Sequence, residues 1–206
     1  MKIALVSGYD YLYPGGVTEH IAHLYRRFVA HGHDVSIIAP MSSRRPMPER
    51  IIRVGSVIPV PGNGSVARIA LSFRMAQQIR EIMRAERFDV VHIHEPVLPM
   101  LPLFAMRFSD AVNVGTFHAC WKRNMVYTAT KPIVQRFFMT RLHGRIAVSE
   151  AARKFAHHYF PGEYTIIPNG IEAGRFGGEV EPVRELLDGR LNILFVGRLE
   201  KRKGLD

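Results

Sequence analysis

A glycine-rich segment lies where a phosphate could be bound. Residues 14–20 read Pro-Gly-Gly-Val-Thr-Glu-His and follow the apolar run at 3–6. A glycine turn that opens a helix presents free backbone N–H groups and the positive end of the helix dipole to the same point in space. We therefore predict that Gly15 and Gly16 lie against a phosphate group. An ordinary turn is the alternative, because Pro-Gly and Gly-Gly are common turn formers. The G-x-G-x-x-G spacing of a dinucleotide fold is absent.

A second segment of this kind occurs near the end of the chain. Residues 197–205 read Gly-Arg-Leu-Glu-Lys-Arg-Lys-Gly-Leu and follow the apolar run at 192–196. Fixed cations on a glycine loop after a buried strand are suited to holding a diphosphate. We predict this role for Arg198 and Lys203, while exposed surface cations are the alternative.

Three histidines lie at the ends of predicted strands. His118 follows the run at 112–116, a position that suits a hydrogen bond to a substrate hydroxyl or proton transfer near neutral pH. His92 and His94 share one strand face by the period of two, which also raises the question of a metal site. The nearby carboxylate of Glu95 is expected to point to the opposite face. We therefore predict hydrogen-bonded histidines and no metal.

The segment before the second predicted helix could bind an anion. Asn63, Ser65 and Arg68 offer an amide, a hydroxyl and a guanidinium ahead of a helix predicted near 72–85. At a helix N-terminus these groups would converge on a phosphate ester. The alternative is that Ser65 only caps the helix.

Composition and charge narrow the class of protein. The chain has 206 residues, 47% of them hydrophobic, and 28 Lys and Arg against 18 Asp and Glu, a net charge of +10. This size favours one complete domain, and the charge favours phosphate-bearing partners. Cys120 is the single cysteine, which excludes an internal disulfide and fits a reducing cytoplasm. No apolar run reaches the roughly 20 residues of a membrane span, and no signal peptide is evident.

Arginines outside these motifs form either a solvated basic face or a surface for anionic membranes. They are Arg44, Arg45, Arg74, Arg80, Arg84 and Arg87.

Apolar runs alternate with helix-period segments along the chain, which predicts an α/β fold with a Rossmann-like parallel sheet and helices on both faces. Strands are predicted at 3–7, 34–39, 51–60 with a break, 89–93, 112–116, 144–148, 164–167 and 191–196. We assign 1–170 to the first domain, 171–190 to a linker, and 191–206 to the first strand and loop of a truncated second domain.

Together these motifs resemble those of a known family. The sequence is similar to the retaining GT-B glycosyltransferases of family GT4, and within it to the bacterial phosphatidylinositol mannosyltransferases. The His-x-His-Glu-Pro and Pro-Asn-Gly motifs are general to GT4, whereas Asn-Gly-Ser-x-Ala-Arg is more specific to the inositol-lipid enzymes. The matching segments are 14–17, 32–36, 63–68, 88–96, 116–118, 144–149 and 167–170.

The resemblance implies a role for each candidate residue. Gly15 and Gly16 would lie against the donor diphosphate, and His118 would contact the donor sugar. Arg198 and Lys203 would neutralise the diphosphate leaving group. The phosphate of the acceptor would be held by Asn63, Ser65 and Arg68. Three positions depart from the mannosyltransferase pattern, namely Thr18, Gly62 and Ala119.

The resemblance also implies the reaction. We expect the N-terminal, acceptor-binding domain of a GT-B enzyme that transfers a sugar, mannose from GDP-mannose or another sugar from a UDP-sugar, to a phosphate-bearing lipid such as phosphatidylinositol. The expected location is cytoplasmic and peripheral on the inner face of the membrane, on an anionic surface, with no cofactor and no nucleic acid partner. The alternatives are a GT4 enzyme with a soluble or other lipid acceptor, and a non-catalytic domain that binds nucleotide or anions. We expect the 206-residue chain alone to be inactive.

Overall fold

The computed structural model describes residues 1–43, 46–62, 65–72, 74–120, 125–178, 181–197 and 204. The strands among them are β1 (Lys2–Ser7), β2 (Asp34–Ala39), β3 (Ile51–Arg53), β4 (Ser56–Gly62), β5 (Ser65–Leu71), β6 (Val90–His94), β7 (Val112–Phe117), β8 (Gly144–Ala147) and β9 (Thr165–Ile166). The α-helices are α1 (Gly16–Ala30), α2 (Met75–Glu86), α3 (Leu101–Phe108), α4 (Met125–Phe137) and α5 (Glu150–Tyr159). Short 3₁₀ turns cover Met139–Arg141, Ala173–Arg175 and Arg184–Leu186.

Seven strands form one parallel sheet in the order β3-β2-β1-β6-β7-β8-β9. From β1 the chain adds β2 and β3 on one side of the sheet. From β6 it adds β7, β8 and β9 on the other side. Such a reversal opens a crevice at the carboxyl ends of the two central strands, where open α/β sheets bind ligands. The predicted Rossmann-like parallel sheet is therefore confirmed, and its crevice lies between β1 and β6.

The sheet is covered on both faces because its central strands are apolar at successive positions. In β1, Ile3 and Leu5 pack into the cluster that contains Ile21 of α1, whereas Ala4 and Val6 pack into the cluster built with α2 and α3. Alternate residues of a strand point to opposite faces, so a continuous apolar run needs a cover on each side. This explains why β1 and β6 are buried over almost their whole length.

Helix α1 follows the predicted apolar stripe and ends as its sequence indicates. Ile21 is fully buried, and Gly32 adopts φ of +80°, the left-handed conformation that glycine tolerates after a helix. The helix begins at Gly16, with Gly15 as an extended N-cap residue that offers no side-chain cap. Its first turn therefore exposes backbone N–H groups.

The segment around Ser65 corrects one prediction. It does not open a helix; instead, β5 pairs antiparallel with β4 in a hairpin, and α2 begins only at Met75. The hairpin also bonds to the loop after β1, because the Asp10 N–H donates to the Arg68 carbonyl at 2.8 Å and the Ala70 N–H to the Gly8 carbonyl at 3.1 Å. Pairing on both sides overrides the helix-opening interpretation.

The strand predicted at 191–196 is not formed in the structure. Its apolar side chains are exposed, Ile193 to 91%. A strand needs a neighbour for its backbone hydrogen bonds, and no described strand lies beside this one. Among the described helices, none is both long and apolar enough to cross a bilayer.

Candidate active site

The carboxyl ends of β6 and β7 bring buried polar side chains to the crevice. In register, His94 is paired with Thr116 of β7 and with Ser7 of β1. The rings of His92 and His94 stack at 4.4 Å between centroids, and His92 Nε2 lies 2.7 Å from the Thr116 hydroxyl oxygen. Both histidines are buried, and the predicted hydrogen bonding is confirmed for each of them.

His118 lies one residue beyond β7 and contacts this pair. Its Nε2 is 3.1 Å from Nδ1 of His94, so that one imidazole donates and the other accepts. His20 reaches the same place from α1, with ring centroids 5.5 Å from His94 and 5.3 Å from His118. We call His20, His92, His94 and His118 the histidine cluster.

His20 was not among the functional candidates from the sequence. The signal that could have found it is helical spacing, because residues three and four apart lie on one face of a helix. His20 is three residues after Val17 and four after Gly16, and so shares their side of α1. It therefore lies one helical turn from the predicted phosphate loop.

Burial keeps the histidine cluster uncharged at neutral pH. Removal from water, together with the smaller effect of neighbouring histidines, lowers the pKa of His118 to about 3 and that of His92 to about 4. Burial likewise holds the pKa of His94 well below its usual range and lowers the pKa of His20. Neutral imidazoles each offer one donor and one acceptor nitrogen, so His118 can bind a hydroxyl without contributing charge.

Glu95 anchors the loop that carries His118. It has φ of +54°, so the alternation of the strand stops at His94, and the expected orientation of Glu95 to the opposite face is wrong. Its buried Oε1 accepts the backbone N–H groups of His118 and Ala119, each at 2.7 Å. Burial raises the pKa of Glu95 to about 7, while these two bonds act in the opposite direction. Strand periodicity could not reveal this contact.

The glycine loop is open, as a phosphate-binding loop requires. A Cβ atom built on Gly16 would meet nothing within 4 Å, and one on Gly15 would meet only ordinary contacts. The Thr18 hydroxyl turns inward and donates to the Gly15 carbonyl at 2.8 Å, which leaves the backbone N–H groups uncovered. The helix start and His20 thus lie on the same side of the crevice.

Arg68 lies beside this loop. Its guanidinium is 4.5 Å from the centre of the Tyr13 ring, two residues before Gly15. The structure therefore brings Arg68 close to Gly15 and Gly16. It places His118 in the histidine cluster, to which α1 contributes His20. The remaining predicted residues are outside what can be described: Asn63, Arg198 and Lys203 in full, and Ser65 in its side chain.

Comparisons of the sequence and of the fold with known proteins both find glycosyltransferases. Over its full length, the chain is 33% identical to the phosphatidyl-myo-inositol mannosyltransferase of Mycolicibacterium smegmatis and 32% identical to that of Mycobacterium tuberculosis. It spans about half of these relatives, 53% and 54% respectively. A glycosyltransferase structure from Rickettsia africae aligns with 85% of this chain and 45% of its own at a TM-score of 0.60 and 18% identity, which supports the fold. Residues 14–175 match Glycosyltransferase Family 4, and the chain belongs to that family.

Proposed function

We propose that this chain supplies the acceptor-binding half of a retaining glycosyltransferase that transfers mannose from GDP-mannose to a phosphatidylinositol-type lipid. The observation that carries the proposal is the neutral histidine cluster at the carboxyl edge of the sheet, one helical turn from an uncapped glycine helix start. Mannosyltransferase relatives at 32 to 33% identity support the donor sugar and the acceptor.

In this proposal His118 orients the transferred sugar. Its Nε2 is engaged by His94, and its ring makes no other hydrogen bond to a described residue, so Nδ1 is the atom offered to a sugar hydroxyl. Glu95 fixes the backbone from which the ring projects. A neutral ring suits this task because its second nitrogen can form a hydrogen bond with a hydroxyl, which is itself both a donor and an acceptor.

The glycine loop receives the diphosphate leaving group. Negative charge grows on that group as the bond to the sugar breaks, and its stabilisation is the largest electrostatic demand of the reaction. Backbone N–H groups at the start of the 15-residue helix α1 meet this demand with the helix dipole. We propose that Arg198 and Lys203 add cations from the other side of the cleft.

We assign the acceptor phosphate to Arg68, with Asn63 and Ser65 as additional donors. Support comes from the position of Arg68 beside the glycine loop rather than from the helix N-terminus that we predicted. Among the described residues, no carboxylate forms an ion pair with Arg68, so its charge remains free for a phosphate. A phosphate held there would place the acceptor next to the donor diphosphate.

The membrane surface is the proposed place of action, on the cytoplasmic side. The arginine face of α2 supports it. This face consists of four exposed arginines within the helix and at its two caps: Arg74, Arg80, Arg84 and Arg87. Each cation near anionic headgroups contributes about 1 kcal/mol. We further propose that 1–170 form the acceptor domain, 171–190 a linker, and 191–206 the start of the donor domain, so that the 206-residue chain alone transfers no sugar.

The experiment is a transfer assay on the full-length gene product that contains these residues, with GDP-mannose and UDP-sugars as donors and phosphatidylinositol vesicles as acceptor. Arg68→Ala should raise the apparent acceptor KM at least about tenfold and leave the donor KM nearly unchanged, since one charge-assisted contact is lost. Arg27→Ala is the control, because it removes an equal charge from an exposed position in the last turn of α1, outside the proposed arginine face.

Each result has a consequence. Transfer to a water-soluble acceptor, with none to phosphatidylinositol, would replace the lipid acceptor but keep the enzyme. Equal acceptor kinetics for both arginine variants would remove Arg68 from the acceptor site. Absence of transfer with every donor, with nucleotide binding retained, would favour a non-catalytic domain. Vesicle affinity that does not change with salt concentration would contradict binding through the arginine face, because charges on an exposed surface are screened over about 8 Å at physiological ionic strength.

A further inference from the structure

We propose that His20, His94 and His118 form a binding site for a divalent transition metal, with zinc as the best fit. No role in sugar transfer requires this site, and its existence does not depend on the proposed function. One consequence does rest on that function: a metal on Nε2 of His118 would replace its contact with His94 and place a charged ion beside the sugar, so it should inhibit transfer although Nδ1 stays free.

The distances between the three rings fit a tetrahedral ion. Two imidazole nitrogens bound to one zinc ion at about 2.05 Å lie about 3.3 Å apart, with ring centroids about 5.2 Å apart. His94 Nδ1 and His118 Nε2 are 3.1 Å apart, and the three centroid distances are 5.3, 5.3 and 5.5 Å. One nitrogen from each of the three rings lies within 4.8 Å of the other two. A small rotation of His20 would therefore complete the site.

Hydrogen bonding within the cluster is incomplete without a ligand. Among the described residues, the three rings share a single hydrogen bond, the one between His94 and His118. The half-buried ring of His20 makes no hydrogen bond to a described residue, so either of its nitrogens is available to an ion. Buried polar groups are ordinarily satisfied, so the rings have more bonding capacity than this fold uses.

Metal entry is chemically simple. The proton shared by His94 Nδ1 and His118 Nε2 is replaced by the ion, and the donating ring moves that proton to its other nitrogen. Three neutral imidazoles then bind the ion with no net release of protons. Three histidine nitrogens and no thiolate favour Zn²⁺, Co²⁺, Ni²⁺ or Cu²⁺ over Mg²⁺, which prefers oxygen ligands.

Sequence spacing could not show this site. His92 and His94 alternate along one strand without a third ligand, which is why the sequence predicts no metal there. Three separate elements deliver the actual set, with His20 from α1, His94 from β6 and His118 from the loop after β7. A metal would therefore clamp α1 to the sheet, and binding should raise the melting temperature.

The test is direct titration of the 206-residue chain with zinc by calorimetry, and with cobalt by visible absorption, which reports tetrahedral coordination. We expect one zinc ion per chain with a micromolar or lower Kd, and no binding of Mg²⁺. His20→Ala should weaken zinc binding at least tenfold. His23→Ala, one turn along α1, is the matched control and should leave the affinity unchanged; His20→Asn replaces the first variant if circular dichroism shows that it fails to fold.

Two outcomes would overturn the site: equal zinc affinity in the His20 and His23 variants, or a stoichiometry well below one. Because no substrate is present, neither outcome affects the proposed sugar transfer. Conversely, an inactive full-length protein that binds zinc would leave the metal site standing. If the metal site and the proposed sugar transfer are both correct, added zinc should inhibit transfer, and a chelator should restore it.

Discussion

At the amino ends of the parallel strands, charged side chains are paired and remain near water, whereas at the carboxyl ends polar side chains are neutral and buried. Lys2 Nζ lies 2.7 Å from the Glu86 carboxylate, and Arg50 contacts both Glu86 and Asp34 at 3.1 Å. These pairs connect the starts of β1 and β2 and the segment before β3 to the end of α2. At the opposite edge, no ion pair with another described residue involves the histidine cluster or Glu95, and His92, His94 and Glu95 are buried.

The pKa shifts of Glu86 and Glu95 show the difference between the two edges of the sheet. The hydrogen bond from Lys2 lowers the pKa of Glu86, with Arg50 adding to the effect, so this carboxylate is favoured in its charged form. Burial raises the pKa of Glu95 to about 7, so the same group is disfavoured as a charge. Perturbation by burial in a crevice is characteristic of functional sites, whereas surface pairs contribute modest stability. Mutation of the amino edge should therefore change stability alone, and only modestly. Mutation of the carboxyl edge should change activity, and stability as well where Glu95 anchors the backbone.

The largest expected effect is on the rate of transfer by the full-length gene product. His118→Ala should lower kcat by about 10²–10⁴-fold, in the range of a positioned hydrogen-bonding catalytic group. The free energy of unfolding of the His118→Ala variant should differ from that of the wild type by less than about 1 kcal/mol, since one partly exposed hydrogen bond is lost. Steady-state kinetics and urea unfolding measure the two quantities. Retained activity with a strongly lowered melting temperature would assign His118 to the fold and break the contrast between the edges.

The next effect tests whether Glu95 acts through the backbone. Glu95→Ala leaves the N–H groups of residues 118 and 119 without their acceptor, which should cost about 2 kcal/mol of unfolding free energy. Glu95→Gln is the control, because its amide oxygen can still accept both bonds. Urea unfolding at about pH 6, where the wild-type group is mostly protonated, compares the variants fairly. Equal stability of the two variants would show that the bonds to Glu95 are unimportant.

A smaller effect is expected at the glycine loop. Gly16→Ala adds a methyl group where nothing lies within 4 Å, and alanine favours the first turn of a helix, so stability should stay within about 0.5 kcal/mol of the wild type or rise. If the donor diphosphate packs against this loop, the donor KM should still rise about tenfold. Gly32→Ala serves as the opposite control, since its φ of +80° predicts lost stability with unchanged donor binding. An unchanged donor KM in Gly16→Ala would place the diphosphate elsewhere.

The sheet could be predicted from sequence because its central strands are largely apolar runs that match their burial, most clearly in β1. The hairpin could not, because β5 is specified by pairing with β4 and with the loop at residues 8–10 rather than by its own residues. The run at 191–196 shows the converse: an apolar pattern forms no strand without a partner.

In the candidate site, too, some residues could be predicted from the sequence and others could not. Gly16 and His118 could be proposed from their positions after strands, because the carboxyl edge of a parallel sheet is where ligands bind. His20 depends on how α1 is rotated against the sheet, and Glu95 depends on a left-handed backbone that reverses its side chain. Both are tertiary outcomes. Helical spacing places His20 on the side of the glycine loop, but it does not show the contacts with His94 and His118, and strand periodicity does not show the contact of Glu95.

The smallest expected effect, at the amino edge, is on stability alone. Glu86→Gln removes the charge that pairs with Lys2 and Arg50, and should lower unfolding free energy by about 0.5 kcal/mol at pH 7, since the pairs are partly exposed. Because the pKa of Glu86 is lower in the folded protein, its ionised form stabilises the fold above the unfolded-state pKa of about 4.5, and this contribution is lost as the pH falls through the folded-state value.

The difference in melting temperature between wild type and Glu86→Gln should therefore be present at about pH 7, shrink in high salt, and vanish at about pH 2.5. Exposed Glu163 provides the matched control, since Glu163→Gln alters the same chemistry away from the strand starts. Transfer activity should be unaffected by either change. A difference that persists in acid would mean that packing, not charge, is what Glu86 contributes; a loss of transfer would show that the two edges are coupled.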